Sequence, residues 1–259
     1  MWGLSVAIYA ALKLLSWWNC AVKAPAWKQA AYLLAWPGMD AGSFLRTSPR
    51  LVPPVPLQEW SFAIAKLLAG LVLLWGVIPE LRRDDEILAG VAGMVGIALC
   101  LHFGLFHLLS CVWRRLNIPA MPIMNRPLSS RSLAEFWGRR WNLAFRDLTH
   151  RFLFLPLLSR LGAVGALLIG FVVSGLIHDL VISWPAGGGY GLPTIYFAIQ
   201  GLGIVVERSA WGRWLGLGRG LPGTLFCVVC IGLASPLLFH QAFIERVIVP
   251  FLAAIGCLR

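Results

Sequence analysis

Apolar runs separated by short polar stretches dominate the chain. They lie at residues 3–18, 60–78, 87–113, 161–184, 194–206, 221–239 and 242–258. A helix needs about 20 apolar residues to cross a hydrocarbon core, so the pattern predicts an all-α, multi-pass transmembrane protein with about seven spans. The first run is interrupted only by Lys13 and is barely long enough. Lys66, near the start of the second, is placed to snorkel outward. The third is long enough to cross with tilt. Between the first two, residues 19–59 carry Lys23, Lys28, Arg46 and Arg50 against Asp40 and Glu59. Pro37, Pro49, Pro53, Pro54 and Pro56 forbid a continuous helix through the second half of that stretch. Its 30–39 segment is apolar enough to lie in the membrane interface. Residues 79–86 form a short charged turn, and 185–193 an uncharged, glycine-rich loop.

The pattern changes between 114 and 160. Ser132-Leu133-Ala134-Glu135 has the form of a capping box, with the Ser oxygen on the third amide and Glu reaching back. A helix from 133 to about 149 would place Leu133, Trp137, Trp141, Ala144 and Leu148 on one face and Glu135, Arg139, Asn142 and Arg146 on the other. That is an interfacial amphipathic helix, with aromatics in the headgroup zone and cations outward. Asn142 lies on its polar stripe. On periodicity alone Asn142 is an ordinary solvated side chain, and Arg139 and Arg140 either anchor topology or meet anionic phosphates.

Charge orients the elements. Charged residues make up 13% of the chain and hydrophobic ones 59%, against roughly 25% charged in soluble domains, so a single integral membrane domain over 1–259 is expected. The net charge of +11 does not indicate nucleic acid, because the basic residues sit in loops between spans, as the positive-inside rule describes. Nine arginines between 114 and 160 against Glu135 and Asp147 put that stretch inside, and counting outward leaves the N-terminus external. Residues 1–18 read as a retained first span and not as a cleaved signal.

Chemistry concentrates at the far end of the 161–184 run, where His178 and Asp179 interrupt an apolar helix. An ionisable pair in that setting is costly and marks a functional site. From Leu161, His178 lies roughly 25 Å along the helix. Ser174 and Gly175, one turn back, are small enough to admit a neighbouring helix or substrate. A buried, neutral imidazole can take a proton from an alcohol, or it can simply bond across helices. Both readings stand on the residues alone. His102 and His107 are about 140° apart on a helix, wrong for one metal-binding face, and read as packed or interfacial. Cys227 and Cys230 form a C-x-x-C without further ligands and read as small apolar groups. G-x-S-x-G, P-loop, H-E-x-x-H and dinucleotide fingerprints are absent from the sequence.

Ser132 to Asn142, Ser-Leu-Ala-Glu-Phe-Trp-Gly-Arg-Arg-Trp-Asn, resembles the wax synthase branch of the membrane-bound O-acyltransferases. Ser174-Gly175-Leu176-Ile177-His178-Asp179 resembles the second hallmark of that branch, with Ile177 in place of the usual Met and Asp179 in place of a frequent Glu. The separation of Asn142 and His178 suits the family's Asn and His pair. Trp36-Pro37-Gly38-Met39-Asp40 is similar to the N-terminal part of bacterial members. The likeness centres on residues 127–208, the expected catalytic core. It implies a helical enzyme with an internal tunnel that moves a fatty acyl group from acyl-CoA to a lipid alcohol. Membrane lipids surround it, and acyl-CoA is a co-substrate with no cofactor or metal. His178 would be the general base and Asn142 would hold the thioester. Trp137, Arg139, Arg140, Trp141, Ser174 and Asp179 would line the substrate site. The alternatives are another acceptor (diacylglycerol, a sterol or a polar metabolite) and a proton-coupled transporter. No inverted repeat of apolar segments supports the transporter. Short loops and the lack of a targeting segment suggest a bacterial inner membrane.

Overall fold

The computed structural model describes residues 2–46, 52, 54–81 and 85–258. Pro49, Arg50, Pro53, the centre of the 79–86 turn and Arg259 lie outside the described residues. The protein is 79% helical, without strands among the described residues. Among the described residues, four helices are long and apolar enough to cross a membrane: Leu57–Glu80, Glu86–Arg115, Leu143–Ala186 and Gly220–Leu238. The chain is an integral membrane protein. Gly3–Trp18 is a shorter apolar helix, and Leu192–Arg208 has 17 residues.

The chain forms two compact units, residues 1–124 with 251–259, and residues 125–250. In the first, the lone cation of the opening apolar helix is folded into the protein. The Lys13 ammonium donates to the carbonyls of Trp36, at 2.8 Å, and Gly38, and lies 3.4 Å from the Tyr32 ring centroid. The 36–40 turn therefore wraps around a buried charge whose donors are taken up. Lys66 does not snorkel outward. Its ammonium sits 2.9 Å from His107 Nδ1, because an acid waits behind that ring: His107 Nε2 is 2.9 Å from Glu59. Arg114 Nη1 also donates to Glu59, at 3.2 Å. Cys111 brings a third potential metal ligand to Glu59 and His107, within 4.8 Å, but the Arg114 guanidinium already occupies that carboxylate.

The second unit is built on a helix that turns back on itself. Residues 143–161 are helical through a π-helical turn at His150–Phe154, and Leu155–His178 continues the same run. In one straight helix, Thr149 and Gly170 would stand about 32 Å apart. Instead a Cβ on Gly170 would lie 3.2 Å from the Thr149 methyl. The reversal falls at Gly162, whose φ of 66° and ψ of 176° are non-helical and suit a residue without Cβ. The run expected from 161 is thus the second arm of a helical hairpin, and residues 143–161 are the first.

Leu192–Arg208 packs antiparallel to the second arm. A Cβ on Gly175 would come within 2.6 Å of Thr194 Cα, and one on Gly201 within 3.2 Å of Leu168 and Phe171. Gly175 does admit a neighbouring helix. Leu133, Phe136, Ile204 and Cys227 form the core beneath, with Cys230 packed against it.

Candidate active site

The segment expected to be one amphipathic helix from 133 to 149 is not continuous. Leu133–Glu135 is a single α-turn, Phe136–Arg140 is π-helical, and the chain leaves helical geometry at Trp141. Asn142 takes a left-handed conformation (φ 41°, ψ 60°) and caps a new helix, Leu143–Thr149, its Oδ1 accepting from Phe145 N at 3.4 Å. Asn is among the few residues with a side chain that tolerate this region. A broken axis is the reason the face assignment does not carry across Asn142. The capping box forms in part. Ser132 Oγ accepts from Glu135 N at 3.0 Å, but the Glu135 carboxylate reaches one residue further back, to Arg131 N at 2.7 Å.

The adjacent arginines have different surroundings. Arg140 donates through Nε and Nη2 to Glu135, at 2.9 and 2.6 Å, and through Nη1 to Arg126 O at 3.2 Å. It pins the 125–140 loop. Arg139 is exposed. Trp141 stacks on Phe136 with centroids 5.3 Å apart. Trp137 faces the other helices: its ring lies 5.6 Å from both Phe171 and Phe197, and its indole N–H donates to Gln200 at 3.3 Å.

His178 ends the second arm of the hairpin, just before the π-helical turn Asp179–Ser183. Its Nδ1 is 2.7 Å from the Ser174 carbonyl. A carbonyl only accepts, so Nδ1 carries the hydrogen, and the neutral ring keeps its lone pair on Nε2. Phe197 covers the ring at 4.4 Å between centroids. The Ser174 hydroxyl turns back to Gly170 O at 2.9 Å, so its backbone oxygen, not its hydroxyl, serves the histidine. Asp179 has its own partners: Gly191 N at 2.7 Å, Thr194 N at 3.1 Å, the Thr194 hydroxyl and Ser183 Oγ at 3.0 Å. The carboxylate ties the end of one helix to the start of the next.

The hairpin determines how the two hallmark residues relate. Asn142 is seven residues before Thr149 and His178 eight after Gly170, about 10 and 12 Å along antiparallel arms from their contact. Both arms therefore carry these residues to the same end of the hairpin. Phe197 links Trp137 to His178, packing on both rings.

The sequence reading missed two residues. Gln200 is completely buried, accepting from Trp137 and donating to Cys230 O at 2.9 Å. Glu207, 5% exposed, accepts from Leu133 N at 2.6 Å and Ala134 N at 3.3 Å. The available signal was a polar residue inside the 194–206 run and an acid at its end.

The geometry defines a helical membrane protein in which a hairpin brings a partly buried histidine and an asparagine to one end. Residues 120–199 match the model of the membrane bound O-acyl transferase family. The chain is 28% identical over 191 residues to a long-chain-alcohol O-fatty-acyltransferase of Simmondsia chinensis, covering 64% of this chain and 51% of that protein. It is 30% identical over 197 residues to a probable long-chain-alcohol O-fatty-acyltransferase 1 of Arabidopsis thaliana, covering 64% and 53%. An acyl-CoA–sterol O-acyltransferase of the same plant is 27% identical over 150 residues, covering 52% and 43%. The resemblance to the wax synthase-like branch is thus borne out, and the chain spans about half the length of the curated relatives it matches.

Proposed function

We propose that this chain carries the catalytic core, residues 127–208, of a membrane O-acyltransferase. It transfers a fatty acyl group from acyl-CoA to the hydroxyl of a lipophilic alcohol. The observation that carries the reading is the bond from His178 Nδ1 to the Ser174 carbonyl, at 2.7 Å, which leaves Nε2 as a base. Nε2 takes the hydroxyl proton as the oxygen attacks the thioester carbonyl carbon; the C–S bond breaks, and the proton passes to the departing CoA thiolate. Asn142, at the same end of the hairpin, holds the thioester carbonyl. Bringing a water-soluble donor and a greasy acceptor together in one dry tunnel supplies the proximity contribution. Acyl-CoA is a co-substrate, and the chemistry calls for no resident cofactor. A sterol is the second acceptor to consider, because one relative is named for it.

The test is one incubation of membranes containing the protein with labelled acyl-CoA and a panel of long-chain alcohol, sterol and diacylglycerol. Labelled ester with stoichiometric release of CoA thiol is expected, largest for the long-chain alcohol. No ester from any acceptor, together with substrate-driven proton flux in vesicles, refutes the reading in favour of a transporter.

A further inference from the structure

Leu192–Arg208 touches both halves of the candidate site along one side. Near its start, Thr194 holds Asp179. One turn on, Phe197 packs against His178 at 4.4 Å and Trp137 at 5.6 Å. Gln200 follows at i+3 on the same face, and Glu207 closes the side by accepting from Leu133 N. Gln200 and Glu207 lie beyond the 120–199 stretch shared with the family.

We infer that Gln200 is a positioning residue that fixes the Trp137 indole, and through Phe197 the seat of His178, so that it governs turnover and not donor affinity. This rests on the acyl-transfer reading. Gln200 is 0% exposed. An amide so placed is costly to bury unless it is bonded, and an apolar side chain of similar length would pack there without that cost. Both ends of the amide are used. Its oxygen takes the indole N–H of Trp137 at 3.3 Å, and its nitrogen is anchored on the Cys230 carbonyl at 2.9 Å. The second bond leaves the oxygen aimed at Trp137. A side chain that only filled space would need neither. Trp137 in turn wedges between Phe171 and Phe197, each 5.6 Å away, so rotation of the indole moves the ring that covers His178.

Gln200→Met keeps the length of the side chain and removes both bonds. In the membrane-embedded full chain with labelled acyl-CoA and a long-chain alcohol, kcat should fall about tenfold, the effect of losing the bond that holds Trp137, with KM for the donor within about twofold. The loss should not multiply with Trp137→Phe: the double variant should match Trp137→Phe alone, because Gln200 acts through that indole. Multiplying losses, or a raised donor KM at unchanged kcat, overturn the assignment. Where Gln200→Met does not accumulate in membranes, Trp137→Phe breaks the same bond from the other side. It should show the same kcat loss, and wild-type turnover in it overturns the assignment. A readout independent of activity separates this inference from the acyl-transfer reading. The indole 15N–1H resonance that Trp137→Phe removes should shift in Gln200→Met. If the wild type makes no ester, the acyl-transfer reading fails, while an unmoved resonance overturns the role of Gln200.

Discussion

Gly175→Ala is the smallest change that tests whether the spacing of two helices controls the site. A Cβ at Gly175 would lie 2.6 Å from Thr194 Cα and 3.2 Å from Thr194 Cβ. Carbon atoms rest at about 3.5 Å or more, so Leu192–Arg208 must move by about 1 Å. The obstacle is backbone, so no rotamer change can relieve it. Overpacking of this kind costs about 1–3 kcal/mol. The functional cost should be larger, because Thr194 carries the bonds to Asp179, and Phe197 covers His178. A misplacement of about 1 Å can cost about a hundredfold in rate. The assay is ester formation from labelled acyl-CoA and a long-chain alcohol, normalised to protein in the membrane by immunoblot. Gly175→Ala should insert and accumulate, yet lose roughly ten- to a hundredfold in turnover. Gly232→Ala is the control, because a Cβ there meets nothing within 4 Å and alanine is favoured over glycine in a helix by about 1 kcal/mol. Its activity should equal wild type. Wild-type activity in Gly175→Ala would refute the argument that close approach at Thr194 holds the site.

Three further outcomes follow from named contacts. Glu207→Ala leaves the Leu133 and Ala134 amides without their acceptor and should destabilise the detergent-solubilised protein by on the order of 2 kcal/mol, read as a lowered melting temperature. The Arg131 amide, and then the Arg140 guanidinium, hold the Glu135 carboxyl below its usual range. Its contribution to stability is therefore complete above the ordinary carboxylate pKa of about 4.3 and is lost as pH falls through the lowered value. Melting temperatures between about pH 6 and 3 should fall less steeply in Glu135→Gln than in wild type. Asn142→Ala removes a cap and a residue suited to positive φ, so turnover should drop by at least tenfold, with some activity remaining in the same ester assay.

The fold class was legible in the sequence, and His178 stood out as a candidate, for definite reasons; Asn142 was singled out only by the family resemblance. Apolar runs of spanning length announce helices, and an imidazole near the end of one stands out against its surroundings. The first arm of the hairpin was not legible. Residues 150–160 carry Arg151 and Arg160 and read as the end of a basic loop, so the apolar run begins at 161, beside the reversal at Gly162. Nothing local says that the preceding stretch is a helix packed against it. The break at Asn142 was hidden because an α-period of 3.6 was carried through Phe136–Arg140, which winds as a π-helix and shifts every later side chain to a different face. Gln200 and Glu207 were overlooked because each reads as ordinary in its own segment, and their partners, Trp137 and Leu133, lie more than sixty residues away. Lys13 shows the same limit. Its acceptors, Trp36 and Gly38, belong to a turn that wraps around it, while local pattern offers only an isolated charge in a span.

The most direct measurement compares His178→Ala with the wild type. Membranes with matched amounts of each protein are given labelled acyl-CoA and a long-chain alcohol, and labelled ester and free CoA thiol are counted together. Loss of the base should reduce both by about a hundredfold or more, with membrane insertion unchanged. Ester formation by His178→Ala at the wild-type rate would contradict the account.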